Sequence, residues 1–203
     1  MRRRSPLITV LVPALVVVTV AVIALHRSST LEPLPPSSSV ALIGDSLNLG
    51  TEESLREKLS GWTFVIDDVV GRQTAIGIDR LEAAGSSLAP YVVVSLGTND
   101  PASAVASFRA GVRRAVGLVG PRRCLVWATI HRDGGAYAAF NAVLRAEAKL
   151  NRNVRVVEWA AMIDVHPEWL APDGIHGTPD GYRARAAADV EAMLQCHDAG
   201  VGG

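Results

Sequence analysis

Four short stretches of this chain carry side chains that together could make or break an ester. The apolar run 40–43 stops abruptly at Gly44-Asp45-Ser46. A short buried strand that opens into a tight turn puts the next residue at the carboxyl edge of a sheet, where open α/β folds bind their ligands. Ser46 is therefore the candidate nucleophile. Alone, a Gly-Asp-Ser tripeptide is ordinary turn and N-cap chemistry, and Asp45 is expected to bond the turn rather than to act as an acid. A serine hydroxyl needs a base, the base an orienting partner, and the developing oxyanion preorganised donors. His176 can be the base, since imidazole gains and loses a proton near neutral pH. Asp173, three residues earlier, can reach the other ring nitrogen. Gly71 offers a backbone N–H where a side chain would obstruct a substrate, Asn99 offers a side-chain amide, and the Ser46 amide makes a third donor.

These residues meet only if the elements between them place their loops on one edge. Strand-like and helix-like stretches alternate along the chain. Strands are expected at 40–43, 62–66, 91–96, 124–130 and 154–157, and helices at 50–59, 74–88, 102–118, 136–150 and 179–196. That alternation predicts a five-stranded parallel sheet with helices on both faces. The run Tyr91-Val92-Val93-Val94 reads as a strand covered on both sides. Every strand of a parallel sheet opens its carboxyl end on the same edge, so Gly44-Asp45-Ser46, Val69-Val70-Gly71-Arg72-Gln73 and Gly97-Thr98-Asn99-Asp100 share it. Asp173-Gly174-Ile175-His176 lies before the last helix, whose start is marked by Thr178-Pro179. The segment between the fifth strand and Asp173 reads as irregular.

With 203 residues, 49% of them hydrophobic, and a formal net charge of zero, the chain has room for one ordinary core and no excess charge for nucleic acid. Arg2-Arg3-Arg4 precedes nineteen uncharged residues, 7–25, a length that as a helix crosses a bilayer core of about 30 Å. An uncleaved transmembrane anchor at 7–25, after a basic cytoplasmic tail at 1–6, is preferred to a cleaved signal peptide, whose apolar region is shorter. The charge order sends the chain beyond residue 25 out of the cytoplasm. Residues 26–38, rich in proline and serine, read as a linker, 39–197 as the folded domain, and 198–203 as a frayed tail.

In this order and spacing, Gly44-Asp45-Ser46, Gly71, Asn99 and Asp173-Gly174-Ile175-His176 resemble the SGNH (GDSL-type) hydrolase family. The resemblance implies a flavodoxin-like three-layer α/β/α sandwich. It implies Ser46 as nucleophile, Ser46, Gly71 and Asn99 as the oxyanion hole, and Asp173 with His176 completing the triad. More narrowly, Val69-Val70-Gly71-Arg72-Gln73, Gly97-Thr98-Asn99 and Asp173-Gly174-Ile175-His176-Gly177-Thr178-Pro179 look like the extracellular SGNH domain of acyltransferases that modify peptidoglycan and other envelope polysaccharides. That resemblance implies short O-acyl groups on a glycan as substrate. The many-helix membrane unit of those acyltransferases has no counterpart in this sequence, where one apolar segment stands in its place. Hydrolysis needs only an ester and water and no missing partner, so an esterase is ranked above an acyltransferase. A non-catalytic envelope-binding module is the reading from another class, and it has no need of a serine, a base, an acid and two oxyanion donors together.

Arg72 and His131 follow strands on the functional edge and are candidates for substrate contact, with solvated side chains the competing reading. Asp100 is expected to cap the helix that begins near residue 102. Trp159 and Trp169 flank the loop leading to Asp173 and could line a pocket. No metal or other cofactor is implied, because the histidines lack ligand spacing, and no glycine-rich loop for a nucleotide follows a strand. Cys124 starts the fourth strand, at the edge opposite the site, and Cys196 ends the last helix on that same side. In an exported domain the pair invites a disulfide, and bridge and free thiols both remain open.

Overall fold

The structure, a computed structural model, describes residues 33–135 and 137–202. The apolar segment 7–25, the arginines before it and most of the linker lie outside the described residues. Among the described residues no helix is long and apolar enough to cross a membrane.

Five strands, β1 (Ser39–Gly44), β2 (Thr63–Asp68), β3 (Tyr91–Ser95), β4 (Cys124–Ala128) and β5 (Val154–Val157), form one sheet in the order β2-β1-β3-β4-β5. All four pairings are parallel. The helices are α1 (Ser46–Lys58), α2 (Thr74–Ala84), α3 (Val105–Val119), α4 (Ala138–Leu150), α5 (Trp159–Val165) and α6 (Pro179–Asp198). Alternate strand residues point to opposite faces, and here both sets are apolar. Ala41, Ile43, Val92, Val94, Leu125 and Trp127 meet the inner sides of α2, α3 and α4. Val40, Leu42, Tyr91, Val93, Cys124 and Val126 meet α1, α5 and α6. Both faces are thus covered, which gives the three-layer sandwich expected from the near-continuous apolar strands. Phe108 of α3 stacks on Phe140 of α4 with ring centroids 4.1 Å apart. The Trp127 indole, edge-on to Phe108, donates to the Leu96 carbonyl at 3.1 Å, so its one polar group is satisfied inside the core.

Cys124 and Cys196 are joined as a disulfide with Cα atoms 5.8 Å apart. The bridge ties the end of α6 to the start of β4.

Several expectations shift. Helix α1 begins at Ser46, four residues before the expected start, because the Asp45 carboxylate caps it by accepting from the Leu47 N–H at 3.0 Å. Helix α3 starts only at Val105, too far for Asp100 to cap. The Asp100 carboxylate instead accepts from the N–H and hydroxyl of Thr74 and secures the start of α2. Part of the segment expected to be irregular is α5, whose Trp159 and Ile163 are buried. The end of the linker lies on the domain, where the Trp62 indole donates to the Pro35 carbonyl at 3.0 Å. The C-terminal tail is docked as well. Val201 is buried, and the Gly202 N–H bonds the Arg122 carbonyl at 3.1 Å.

Candidate active site

Ser46, the first residue of α1, stands at the carboxyl end of β1. Its turn is tight. A Cβ on Gly44 would lie 2.7 Å from Asn48 Nδ2 and 2.9 Å from the Ser95 carbonyl, so only glycine lets β3 and the first turn of α1 close around it. His176 arrives from the far end of the chain on a loop folded back on itself. The Ala171 N–H donates to the His176 carbonyl and the Thr178 N–H to the Trp169 carbonyl, each at 2.8 Å, and the Asp133 N–H, after β4, donates to the Gly174 carbonyl at 2.8 Å.

His176 Nε2 lies 2.9 Å from Ser46 Oγ and His176 Nδ1 lies 2.7 Å from Asp173 Oδ2. The other carboxylate oxygen of Asp173 accepts from the N–H groups of Ile175 and His176, each at 3.0 Å. Asp173 thus shapes the loop as well as the ring. The bond from the His176 side chain, helped by those two backbone donors, lowers the Asp173 carboxyl to about 2, so it is a carboxylate at any working pH. A carboxylate on Nδ1 holds the proton there and leaves Nε2 as the acceptor facing the serine hydroxyl.

The candidate oxyanion donors lie on the same edge. Gly71 is the third residue of a turn closed by the Arg72 N–H on the Val69 carbonyl at 3.1 Å. Its φ of 75° is the conformation that favours glycine there, and a Cβ would meet nothing within 4 Å. Its N–H and that of Ser46 make no hydrogen bond among the described residues. The Ser46 N–H is one of the free donors at the positive end of α1. Asn99 Nδ2 donates to Asp45 Oδ2 at 3.0 Å and more weakly to the Arg72 carbonyl at 3.3 Å. Asn99 thereby joins the β2 and β3 loops to the residue beside the serine.

Ser46, His176 and Asp173 are brought together, with Asn99 bonded to Asp45 next to them. Arg72 is placed otherwise than as a substrate-facing cation. Its side chain is 5% exposed and its guanidinium turns back onto the carbonyl and carboxylate of Asp67. His131 stays on the edge, one fifth exposed, with Nε2 3.3 Å from Asp133 Oδ1. Trp159 is fully buried, and Trp169 stacks on His166 with centroids 4.0 Å apart. Among the described residues no cluster of histidine, cysteine or carboxylate side chains could hold a metal ion. Sequence reasoning missed the support supplied by the β4 loop. Asp133 anchors the His176 loop, and Arg132 donates to the Thr98 carbonyl at 3.0 Å. Their one signal is position, directly after a strand on the functional edge.

No protein-family model matches the sequence. The chain is 30% identical over 167 residues to YrhL of Bacillus subtilis, a protein named as a candidate peptidoglycan O-acetyltransferase, covering 80% of this chain and 25% of the relative. It is 29% identical over 179 residues to peptidoglycan O-acetyltransferase OatA of Listeria monocytogenes, covering 82% of this chain and 26% of the relative. The chain thus spans about a quarter of the length of these curated relatives. Among solved structures it superposes on the C-terminal catalytic domain of Streptococcus pneumoniae OatA with a TM-score of 0.63 at 19% identity, covering 81% of this chain and 94% of that one. A lipase/acylhydrolase from Enterococcus faecalis gives 0.66 at 19% identity, covering 77% and 95%. A G-D-S-L family lipolytic protein from Veillonella parvula gives 0.62 at 16% identity, covering 75% and 96%.

Proposed function

From a domain that has the SGNH (GDSL-type) fold and is related in sequence to peptidoglycan O-acetyltransferases, we propose that this chain is a serine-dependent O-acyltransferase of the cell envelope. The acyl group it carries is acetyl or another short acyl, and the acceptor is a glycan hydroxyl. The observation that carries the chemistry is the Ser46–His176–Asp173 line, with contacts of 2.9 and 2.7 Å. The same line serves hydrolysis equally, and what favours transfer is that both curated relatives are named for it. This reverses the sequence-based ranking of esterase over transferase. That ranking rested on the expectation of a single apolar segment where those acyltransferases carry a many-helix membrane unit, and an acyl donor need not come from the same chain.

In this reading Ser46 Oγ attacks the ester carbonyl while its proton passes to His176 Nε2. Negative charge collects on the carbonyl oxygen, and the Ser46 and Gly71 N–H groups with Asn99 Nδ2 are the donors assigned to stabilise it. The Asn99 N–H that would turn to it is the one now bonded weakly to the Arg72 carbonyl. The C–O bond to the donor alcohol then breaks, and that alcohol takes the proton from His176. A glycan hydroxyl gives its proton to His176 and attacks the acyl carbon. The bond to Ser46 Oγ breaks, and the serine recovers its proton.

The apolar segment 7–25 supports placing the domain outside the cytoplasm, tethered to the membrane. Protease added to intact cells then digests the domain, and protection until lysis would reverse that orientation. The reaction is tested with a soluble O-acetyl donor and a chitin or peptidoglycan oligomer. Acylated oligomer in excess of free acetate is expected, with both lost in Ser46→Ala. Free acetate alone, whatever the acceptor concentration, would return the esterase reading.

A further inference from the structure

We infer that Tyr182 is a spacer that sets the distance between the nucleophile and its base, wedged between the helix that carries Ser46 and the loop that carries His176. The inference rests on the reading of Ser46 and His176 as a reacting pair. Gly50 lies four residues after Ser46 and on the same side of α1. A Cβ added to Gly50 would lie 2.1 Å from Tyr182 Cζ and 2.4 and 2.6 Å from the two Cε atoms. The outer end of the phenol ring is thus seated directly on the helix backbone. On its inner portion the ring meets Gly177, the residue after His176, where an added Cβ would lie 3.1 Å from Cδ1 and 3.2 Å from Cε1.

The ring thus touches the backbone of both partners, at the two points where a larger residue would hold them apart. Its own backbone is fixed, since the Tyr182 N–H bonds the Thr178 carbonyl at 2.9 Å in the first turn of α6. Gly181 is also glycine for packing, because a Cβ there would lie 2.3 Å from the Trp169 carbonyl. The root of α6 therefore presses against the segment that starts the His176 loop, and Tyr182 extends from that root across to α1. A planar ring with two side-chain torsions is a stiff strut. The three atoms nearest an added Cβ belong to Tyr182 at Gly50 and at Gly177 alike.

Tyr182 would touch neither substrate nor the transferred proton, so it is a positioning residue. A misplacement of about 1 Å between reacting groups can cost roughly a hundredfold in rate, and that is the size of effect at stake. The phenol oxygen also faces the Gly177 N–H, so ring and hydroxyl need separate tests.

The experiment measures the second-order rate of Ser46 labelling by a fluorophosphonate, kcat and KM for an aryl acetate, and thermal unfolding, all on the full chain. Tyr182→Ala is expected to slow labelling and kcat by roughly tenfold to a hundredfold, with KM within about twofold of the parent. Tyr182→Phe, which keeps the ring, should recover most of that loss. Gly50→Ala favours the helix yet should slow labelling, because its methyl displaces the ring. Combining it with Tyr182→Leu, which lacks the outer ring atoms, should label faster than Gly50→Ala alone. If Tyr182→Ala does not fold, the Gly50→Ala pair still decides. Parental labelling rates in folded Tyr182→Ala or in Gly50→Ala, or a Tyr182→Phe as slow as the alanine variant, would overturn the spacer. A parent chain that is never labelled at Ser46 would instead overturn the reading of the reacting pair.

Discussion

Asp45 Oδ2 accepts a hydrogen bond from Asn99 Nδ2 at 3.0 Å, while Asp45 Oδ1 caps the helix that begins with Ser46. One buried carboxylate thus fixes both the candidate nucleophile's helix and the candidate oxyanion donor. Burial raises the Asp45 carboxyl, against the pull of the Leu47 N–H and the positive charge of Arg185. Asn99→Ala should lower kcat by roughly 10²–10³-fold with little change in KM, as expected when one oxyanion donor is removed. Asp45→Ala should lower kcat in the same sense and also cost about 1 kcal/mol of stability through the lost cap. Steady-state kinetics and urea unfolding on the two variants check both effects. A change in KM alone for Asn99→Ala would remove it from the oxyanion hole.

Asp173 is held near 2, chiefly by its bond from the His176 side chain. A depressed carboxyl keeps its charge above its ordinary range and loses it only as pH falls through about 2. From pH 8 down to pH 4 the orienting carboxylate therefore keeps its charge. Asp173→Asn, which removes that charge, should lower kcat throughout this range. A variant that matches the parental kcat anywhere between pH 4 and pH 8 would show that the carboxylate does not orient the base.

The parts of the site that were legible in the sequence carry their own local signature. Gly44-Asp45-Ser46 closes an apolar strand, and Asp173 and His176 lie three residues apart in one loop before a Thr-Pro helix start. What stayed hidden depends on tertiary partners that no local pattern encodes. Asp100 reads as a cap for the next helix but reaches back to Thr74 of the preceding one. Arg72 reads as a free cation at the substrate edge, yet Asp67, at the end of the strand before it, captures it. The tail was expected to fray because half of it is glycine, but Val201 supplies the apolar contact that docks it. Tyr182 gives no signal of its own, since its role is visible only where Gly50 and Gly177 converge on its ring.

The Cys124–Cys196 bridge closes a loop with a sequence separation of 72, at the edge opposite Ser46. In the chain-entropy account a loop of that size stabilises the fold by about 4 kcal/mol. Reduction, or the paired change to serine, should lower the urea midpoint accordingly. The folded fraction should keep its rate of labelling at Ser46. An unchanged midpoint after verified reduction would mean that the bridge constrains little.

Asp68, the last residue of β2, supplies a prediction about stability rather than rate. Burial pushes its carboxyl up to about 7, against the hydrogen bond from Asn48 and the positive charge of Arg72, which pull it down. Asn48 Nδ2 donates to Asp68 Oδ1 at 3.2 Å. Asp68 Oδ2 and Asn48 Oδ1 are buried and have no hydrogen-bond partner among the described residues. A proton on Asp68 could serve both, closing a reciprocal acid–amide pair. In the unfolded chain the same carboxyl titrates near 3.9, so between about pH 4 and pH 7 the native state holds a proton that the unfolded state has lost. Stability therefore falls as pH rises through that window and levels off above it. Asp189, raised by burial to about 6, acts in the same direction over a narrower range. Asp68→Asn supplies a permanent N–H donor to the pair. It should flatten the slope between pH 6 and 7 and raise stability at pH 8 by on the order of 2 kcal/mol. Urea unfolding at pH 4, 6, 7 and 8 reads this directly, and a variant that keeps the parental slope above pH 6 would show that Asp68 is ionised throughout.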